Sequence, residues 1–433
     1  MDNMFNPKIE KMPKAKIKEL QLKQLKKIVH VVYENVPFYN KKFKELKIKP
    51  EDIKTLDDVC KLPLTTKDDL RTNAPFGFMA TSIDNCIELH ASSGTTGVPV
   101  TVCYTRNDIE VWSEVMARGL SMSGLTKKDV FQNPIPYGTF TGAFGFHYGA
   151  QKVGALVIPS SVGQSERQIK LMDYYGTTFI SGVASYILRL SIVAQGMGID
   201  PKKLKVRNGL FGAEMFTKGL KQRIMETWDM DVHDIYGLTE MCGPGVSTDC
   251  DQHDGLHLWE DHFLLECLDP VTLEQVGPEE EGEIVLTTLT KEGMPLLRYR
   301  TRDIAKLYDQ KKCDCGRTHV KHSPIKGRSD DMIIIRGTNI YPGQIESVLM
   351  KHNDVGNNWR MVLSTEGDND MLTVEVESKV QLSQVESMNL EDKLKNEIRS
   401  VIVFTPKIAV LPPNSIIQQG LKAKRVFDER KKD

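Results

Sequence analysis

The densest run of anion-binding groups in the chain lies at residues 91–99, which read ASSGTTGVP. Its central six residues are hydroxyl-bearing or glycine: Ser92, Ser93, Gly94, Thr95, Thr96 and Gly97. Glycine lets backbone N–H groups turn toward an anion, and hydroxyl groups add donors without charge. The pattern therefore predicts a loop that holds the phosphates of a nucleoside triphosphate. It does not end in the Gly-Lys-Ser/Thr of a P-loop, and a polar surface turn is the alternative.

Metal-ligand chemistry is concentrated in two segments, CDQHDGLH and KKCDCGRTH. Tetrahedral zinc takes four nitrogen or sulfur ligands, often as two short pairs on separate loops. The predicted ligands of such a structural zinc site are Cys250, His257, Cys313 and Cys315. Free thiols are the alternative, and His253 or His319 is an alternative histidine ligand. The remaining cysteines stand singly, and we expect small buried apolar side chains at Cys60, Cys86, Cys103, Cys242 and Cys267.

A third segment, YGTFTGAFGFHY, places five aromatic residues and a histidine among small residues between Tyr137 and Tyr148. Aromatic rings opposite glycines can form a flat slot for another ring. We expect Tyr137 and Phe140 to be walls of such a slot. For Phe144 and Tyr148, an ordinary place in the core is the alternative.

These segments need a scaffold, and the hydrophobic pattern indicates an α/β fold. Helical spacing covers residues 8–35, and helical and β-rich stretches alternate from about 110 to 230, which favours a mostly parallel sheet. Hairpin-like strands follow at 255–310, and a compact α+β unit lies beyond about 330. The sequence thus predicts a large multi-sheet N-terminal domain with a β-rich subdomain and a small α+β C-terminal domain.

Composition excludes several classes of protein. The 433 residues are 40% hydrophobic, as in globular proteins, and 57 basic side chains balance 58 acidic ones. With this balance the chain has no overall positive charge that would attract nucleic acid. Apolar runs such as Met332–Ile335 are far shorter than the roughly 20 residues of a membrane helix. The N-terminus has no secretory pattern, so we expect a cytoplasmic protein with no nucleic-acid or membrane partner.

Four ordered motifs resemble the adenylate-forming superfamily of acyl-CoA synthetases, luciferases and peptide-synthetase adenylation domains. They are SSGTTGVP, DIYGLTE (234–240), RYRTRD (298–303) and GRSDDMIIIRGTNIYP (327–342). The segments HASSGTTG, TGAFGFHYGA, GAEM, GLHLWEDHF, TTLTKEGMPLLRYRTRD and CDCGRT further resemble the phenylacetate–CoA ligases within it. The resemblance covers nearly the whole chain.

This resemblance implies that the protein joins an aryl-acetic acid to coenzyme A through an acyl-adenylate, with release of AMP and pyrophosphate. It implies that Glu240 binds Mg²⁺, that Tyr236 stacks on adenine and that Asp303 holds the ribose hydroxyls. The implied nucleotide contacts, besides Ser92–Gly97, are Gly212, Ala213, Glu214, Asp234, Ile235, Tyr236, Gly237, Thr239, Asp303 and Arg328. The implied walls of the acyl pocket are Tyr137, Phe140, Ala213 and Gly237.

The resemblance also implies a mobile C-terminal domain, 329–433, that turns against domain 1–328 about a hinge at Asp330. Its catalytic lysine, which neutralises charge on the carboxylate and α-phosphate, corresponds to Lys422, with Lys424 as the alternative. A homodimer is implied as well.

Three departures from the family pattern affect these expectations. Val98 stands where the phosphate loop often has lysine, Met215 replaces a common proline, and Ile417–Leu421 replaces the usual segment before the lysine. Two alternative functions remain open. The enzyme could load a carrier-protein thiol, or the chain could be a decayed, nucleotide-binding regulatory protein.

Overall fold

The computed structural model describes residues 4–92, 99–309, 313–330, 333–335, 338–366, 369–402, 404–416 and 424–430. These residues form two compact units, each of which draws on separate stretches of the chain. The first unit consists of Met1–Gly182, Leu204–Ala213 and Asp231–Pro324, and the second of Val183–Lys203, Glu214–Met230 and Ile325–Asp433. The division into domains 1–328 and 329–433 stays a prediction.

Helices account for much of the described chain. Their bounds are α1 (Pro7–Glu10), α2 (Lys14–Asn35), α3 (Pro37–Leu46), α4 (Lys67–Thr72), α5 (Arg106–Met122), α6 (Gly142–Val153), α7 (Ser165–Tyr175), α8 (Ala184–Gly196), α9 (Lys218–Trp228), α10 (Pro342–Leu349) and α11 (Gln384–Ile402). Short 3₁₀ helices lie at Pro50–Asp52, Asp57–Lys61, Ile83–Asn85 and Pro201–Lys203. Among the described residues, no helix is both long enough and apolar enough to cross a membrane.

The strands are short and numerous. Their bounds are β1 (Cys86–Ala91), β2 (Thr101–Thr105), β3 (Val130–Gln132), β4 (Leu156–Ile158), β5 (Phe179–Gly182), β6 (Asn208–Gly212), β7 (Asp231–Leu238), β8 (Gly243–Asp249), β9 (Leu256–Leu258), β10 (Phe263–Leu268), β11 (Glu281–Thr288), β12 (Tyr299–Lys306), β13 (Lys321–His322), β14 (Gly327–Arg328), β15 (Ile333–Ile335), β16 (Thr338–Ile340), β17 (Val355–Glu366), β18 (Asn369–Ser378), β19 (Lys407–Leu411) and β20 (Val426–Asp428).

The central sheet of the first unit has eight strands in the order β13-β9-β8-β7-β6-β5-β3-β4. Strands β7, β6, β5, β3 and β4 are parallel, whereas β8, β9 and β13 continue the sheet antiparallel. Strands β5 and β6 are almost wholly buried in the middle of the parallel part, whereas the edge strand β4 is partly exposed. In open α/β sheets, ligands bind beyond the carboxyl ends of the strands. The residues that follow β6 and β7 are therefore the first candidates for ligand contacts.

The first unit contains two further antiparallel arrangements. Strands β10, β11 and β12 pair antiparallel in sequence order, as predicted for the β-rich segment. Strand β1 pairs with β2, and the segment between them is the predicted phosphate loop. Helix α5 begins with a capping box, in which the Thr105 hydroxyl accepts from the N–H of Asp108 while the Asp108 carboxylate accepts from the N–H of Thr105.

The second unit contains helices α8 to α11 and a sheet in the order β19-β18-β17-β20. Strands β17 and β18 form an antiparallel hairpin, and β19 and β20 add to it in parallel. Trp359 is buried in its core, where the Arg425 guanidinium lies 4.7 Å from the ring centroid. The prediction of a mixed α/β fold with an α+β C-terminal part is confirmed.

The prediction that all the single cysteines are buried is wrong for two of them. Cys103, Cys242 and Cys267 are buried, whereas Cys60 is exposed and Cys86 is partly exposed. Cys60 belongs to a short 3₁₀ helix that also contains two aspartates and one lysine, and Cys86 begins β1 on a half-exposed strand. A thiol is small enough to tolerate either environment.

Candidate active site

Tyr236 and Asp303 form a buried pair near the carboxyl end of the central sheet. Tyr236 lies near the end of β7, and its hydroxyl donates to Oδ2 of Asp303, on β12, across 2.7 Å. Both residues are only 9% exposed. The hydrogen bond fixes the position of the Asp303 carboxylate, and a fixed carboxylate is well suited to accept hydrogen bonds from a ribose diol.

Glu240 lies just beyond the end of β7 and is buried. The Lys67 ammonium, on the first residue of α4, lies 3.3 Å from Oε1 of Glu240. Among the described residues, no group makes a hydrogen bond to that oxygen. A carboxylate with so few partners, at the end of the sheet, is a suitable ligand for a hard cation such as Mg²⁺.

Lys291 holds the turn that carries Glu240. Its ammonium donates to the backbone carbonyls of Glu240, across 3.2 Å, and of Met241, and it lies 4.8 Å from the ring centroid of Tyr104. Burial lowers the pKa of Lys291 to about 8, although Asp108 and other anionic groups nearby oppose the shift. Sequence reasoning missed this lysine, because the segment TKEGMP resembles an ordinary polar loop.

Gly212 is the last residue of β6, and Ala213 follows it. A side chain at Gly212 would collide with the backbone carbonyl of Ile235 on the neighbouring strand, so glycine is required for this approach. Ala213 adopts a left-handed backbone with φ of +68°. In the second unit, the Glu214 carboxylate accepts from the N–H and the hydroxyl of Ser185 at the start of α8, across 2.5 and 3.0 Å.

The other nucleotide contacts implied by the resemblance lie on β7 and the turn that follows. Asp234 is half-buried and Ile235 is buried on this strand. At Gly237 the pairing of β7 with β8 changes register, and a side chain there would collide with the carbonyl of Gly243. The Thr239 hydroxyl is buried, 3.4 Å from that of Thr141. Their roles toward a nucleotide stay predictions.

The base of the predicted phosphate loop is closed by Ser92 and Val100. The Ser92 N–H donates to the carbonyl of Val100, and the Ser92 hydroxyl accepts from the N–H of Val100 across 3.0 Å. Ser93, Gly94, Thr95, Thr96 and Gly97 lie outside the described residues.

The predicted aromatic slot begins at Tyr137, just before α6. The Tyr137 hydroxyl accepts from the Asn133 amide across 2.8 Å and lies 3.0 Å from Nδ1 of His147. Phe144 packs edge-on against Tyr137, with ring centroids 5.4 Å apart. Phe140 is half-buried, and its ring lies where a side chain at Gly142 would stand. These rings therefore form an aromatic wall at one end of α6.

A polar group that sequence reasoning missed supports this wall. Glu88, on β1, accepts from the Tyr148 hydroxyl across 2.7 Å, and its other oxygen lies 2.5 Å from Nε2 of His90. Burial opposes ionisation of Glu88, but the hydrogen bonds from His90 and Tyr148 outweigh it and lower the pKa of the carboxyl. Glu88 and His90 are two residues apart on a strand and so share one face, which is the pattern that could have identified them.

The four predicted zinc ligands lie together in the first unit. The ligand atoms of Cys250, His257, Cys313 and Cys315 all lie within 4.8 Å of one another. Sγ of Cys315 is 3.3 Å from Nε2 of His257, whose Nδ1 donates to the carbonyl of His319. This carbonyl fixes the ring orientation and leaves Nε2 for a metal.

The C-terminal residues implied by the resemblance are only partly described. The Arg328 guanidinium and the Asp330 carboxylate form an ion pair, with two contacts of 2.9 and 3.0 Å. Lys422 lies outside the described residues. The alternative lysine, Lys424, is exposed, and its ammonium lies 4.7 Å from the ring centroid of Phe427.

Comparison with known families gives two matches to this chain. The sequence model described as "AMP-binding enzyme" matches residues 10–289. The model described as "AMP-binding enzyme C-terminal domain" matches residues 337–430.

Several curated proteins are similar over nearly their whole length. The phenylacetate-coenzyme A ligase of Thermus thermophilus is 39% identical over 99% of this chain and 100% of its own. That of Aromatoleum evansii is 41% identical over 98% of this chain and 97% of its own. That of Escherichia coli is 38% identical, with 98% of each chain covered.

Solved structures are similar as well. A 2-hydroxyisobutyryl-CoA ligase in the postadenylation state, bound to 2-HIB-AMP, superposes with a TM-score of 0.92. The two chains are 27% identical, and the match covers 98% of this chain and 92% of the other. The same enzyme with 2-HIB-AMP and CoA, in the thioesterification state, gives a TM-score of 0.73 over 99% of this chain and 93% of its own.

Proposed function

We propose that this chain, which belongs to the AMP-binding enzymes and among them to the phenylacetate–CoA ligase family, acts on phenylacetate or a close aryl-acetic acid. The chain is an AMP-forming acid–thiol ligase that activates a carboxylic acid with ATP and transfers the acyl group to CoA. The observation that carries the choice of acid is the identity of 38–41% to phenylacetate-coenzyme A ligases over nearly full length. The aromatic wall at Tyr137 and Phe144 supports it, because an aryl ring packs well against such rings.

The reaction has two balanced steps. A carboxylate oxygen of the acid attacks the α-phosphorus of ATP, the bond to the β-phosphate oxygen breaks, and pyrophosphate leaves. The CoA thiolate then attacks the acyl carbonyl, the bond to the AMP oxygen breaks, and the thioester forms. Both steps depend on positioning and charge neutralisation more than on covalent chemistry by the protein.

We assign the positioning to the residues around the ends of β6 and β7. The Asp303 carboxylate, held by Tyr236, accepts hydrogen bonds from the ribose hydroxyls. The loop from Ser92 to Gly97 binds the β- and γ-phosphates. Glu240 is the ligand for Mg²⁺, which when bound neutralises phosphate charge. Its buried, sparsely paired carboxylate fits a hard cation.

The proposal includes a structural zinc ion held by Cys250, His257, Cys313 and Cys315. The convergence of these four ligand atoms and the hydrogen bond that orients His257 support it. A closed set of four protein ligands leaves no position for substrate, so this ion would brace the fold and take no part in the reaction.

A panel of acids tests the proposal. The full chain is incubated with ATP, Mg²⁺ and CoA and with phenylacetate, 4-hydroxyphenylacetate, indoleacetate, benzoate or acetate. AMP and thioester are then measured by chromatography and mass spectrometry. We expect an aryl acetate to exceed acetate in kcat/KM by roughly 100-fold, since burial of a phenyl ring contributes up to about 3 kcal/mol.

Two matched variants locate the acyl pocket. Phe140→Ala is expected to lower kcat/KM for the aryl acetate and to leave acetate unaffected. Phe76→Ala, at an exposed ring outside the predicted slot segment 137–148, should change neither value. Adenylate without any CoA thioester would favour a carrier-protein acceptor. ATP binding without turnover of any acid would favour a regulatory protein.

The catalytic lysine is tested separately. Lys422→Ala is expected to slow adenylate formation by about 100- to 1,000-fold, as for loss of a group that stabilises transition-state charge. Lys424→Ala is the matched control and should change it little. If Lys424→Ala slowed adenylate formation and Lys422→Ala did not, the role would belong to Lys424. Light scattering tests the homodimer implied by the resemblance. Cell fractionation tests the cytoplasmic location expected from the N-terminal sequence.

A further inference from the structure

A second cluster of metal-ligand side chains lies in the first unit, away from the reaction described above. Asp231 and His233 stand two residues apart on β7 and so share one face of the strand. His253 reaches them from the turn between β8 and β9. The candidate ligand atoms of the three residues all lie within 4.8 Å of one another.

The hydrogen bonds around the two histidines determine which nitrogen is available. Nδ1 of His233 lies 3.3 Å from the backbone carbonyl of Asp249, and Nδ1 of His253 lies 3.0 Å from Oδ2 of the same residue. A carbonyl or a carboxylate only accepts, so both Nδ1 atoms carry hydrogen and donate. The lone pairs of the neutral rings are therefore on the two Nε2 atoms.

Both Nε2 atoms point at a single carboxylate. His233 Nε2 is 2.9 Å from Oδ2 of Asp231, and His253 Nε2 is 3.1 Å from Oδ1. A lone pair on a ring nitrogen and a lone pair on a carboxylate oxygen repel each other at these distances unless a proton or a cation lies between the two atoms. Either each ring carries a second proton, or one divalent cation replaces both protons.

We propose that Asp231, His233 and His253 bind a divalent cation of the zinc type. Metal-bound histidines nearly always donate their other ring nitrogen to a carboxylate or a carbonyl, and Asp249 supplies one of each here. The charge balances, because the two carboxylates of Asp231 and Asp249 offset the charge of one divalent ion. Imidazole and carboxylate together suit Zn²⁺, Co²⁺ or Ni²⁺ better than Ca²⁺ or Mg²⁺.

The site is distinct from the four-ligand site, and it is open. It shares no ligand with Cys250, His257, Cys313 and Cys315, although Asp249 is adjacent to Cys250 in sequence. The side chains of Asp231 and His253 are 40% and 29% exposed, so solvent reaches the metal position and water can complete the coordination. Three protein ligands with an exposed position hold an ion less tightly than four enclosed ones. The ion would link the start of β7 to the β8–β9 turn.

Metal counting tests the proposal. Untagged full-length protein is equilibrated with Co²⁺ alone, and total cobalt is measured by mass spectrometry beside the thiolate-to-cobalt absorption. We expect about two ions per wild-type chain, one at each site. His253→Asn should bind about one ion fewer with the thiolate absorption unchanged, since asparagine cannot replace the imidazole ligand. Asp231→Asn should behave in the same way.

The variants distinguish this site from the zinc site of the proposed function. Cys313→Ser should weaken the thiolate absorption, because one of three thiolates is lost, while the ion at Asp231, His233 and His253 remains. His30→Asn, at an exposed histidine on α2, is the matched control and should bind as the wild type does. Because His253 has a left-handed backbone with φ of +51°, which asparagine tolerates, His253→Asn should fold.

The outcome that overturns the proposal is equal cobalt binding by the wild type and His253→Asn when the variant retains the thiolate absorption. In that case the cluster is a hydrogen-bonded pair of doubly protonated histidines and binds no metal. If His253→Asn loses the thiolate absorption, the cobalt count of Asp231→Asn is used instead. Cobalt binding equal to that of the wild type, with the thiolate absorption retained, would then overturn the proposal. Release of about two protons per ion bound at this site would support replacement of the ring protons.

Discussion

Substitution of Lys291 by methionine removes the ammonium that holds the turn after β7. Methionine has a similar length, so it fills the space while the carbonyls of Glu240 and Met241 lose their donor. The turn would then relax and move the Glu240 carboxylate. In the proposed function this carboxylate binds Mg²⁺. The Lys291→Met substitution should therefore weaken Mg²⁺ binding, although the Glu240 carboxylate itself is still present.

The expected magnitude follows from two opposing contributions. Two charge-assisted hydrogen bonds stabilise the native state by roughly 3–6 kcal/mol, at about 1.5–3 kcal/mol each. Against this, the lowering of the Lys291 pKa from 10.5 to about 8 corresponds to a cost of about 3 kcal/mol for a buried charge. The net loss of stability at pH 7 should therefore be about 0–3 kcal/mol. The apparent KM for Mg²⁺ should rise about tenfold or more, which requires only about 1.4 kcal/mol.

The buried lysine also predicts a pH dependence. Above pH 8 the native state loses the proton, whereas the unfolded state keeps it up to about the ordinary value of 10.5. The unfolded state then binds more protons, so stability rises with pH. Relative to Lys291→Met, the wild type should gain up to about 3 kcal/mol between pH 8 and 10.5.

The assay measures acid-dependent pyrophosphate release against Mg²⁺ concentration, beside urea midpoints from pH 7 to 10.5. Lys306→Met, at a half-exposed lysine on β12, is the matched control and should change neither quantity. An unchanged KM for Mg²⁺ in a folded Lys291→Met protein would refute the positioning role. A difference in stability that does not vary with pH would refute the buried-charge reasoning.

Three further variants test separate parts of the structure. Asp303→Asn should raise KM for ATP by about 10- to 100-fold, as for loss of a charged hydrogen-bond acceptor, in an adenylation assay; an unchanged KM would contradict the ribose assignment. Arg118→Met should destabilise the fold by about 3–5 kcal/mol, because it leaves the buried carboxylate of Asp261 without its two 2.9 Å contacts. Thermal unfolding followed by circular dichroism checks this, and an unchanged midpoint would show that the pair contributes nothing. Cys315→Ser should lower the zinc content by about one ion per chain, whereas the exposed Cys60→Ser should retain it; equal zinc in both would contradict the proposed ligand set.

The parts of the fold with strong periodicity were predictable from sequence. Strand β7 comes directly after the helical stretch of α9, and such alternation of helices and strands allowed a parallel sheet to be inferred before the neighbours of β7 were known. The ligand pairs Cys250/His257 and Cys313/Cys315 likewise suggested one metal site, because each pair places two ligands near each other along the chain. In both cases the inference used only the spacing of neighbouring residues in the sequence.

Residues whose roles depend on distant partners could not be predicted in this way. Lys291 contacts a turn about 50 residues earlier in the chain, and nothing in TKEGMP indicates that its ammonium is buried. Asp231 and His233 carry a strand pattern that could have drawn attention, but His253 joins them only through the β8–β9 turn. The exposed Cys60 shows the opposite error, in which a general tendency of cysteine to be buried was applied to a surface helix.

The most direct test of the central claim is the fate of a labelled oxygen. Phenylacetate with ¹⁸O in its carboxylate is incubated with the full chain, ATP, Mg²⁺ and CoA, and the products are analysed by mass spectrometry. When both carboxylate oxygens are labelled, attack of the carboxylate on the α-phosphorus predicts one labelled oxygen in AMP, one in the carbonyl of phenylacetyl-CoA and none in pyrophosphate. Labelled orthophosphate formed together with ADP would mean an acyl-phosphate route and would contradict the account.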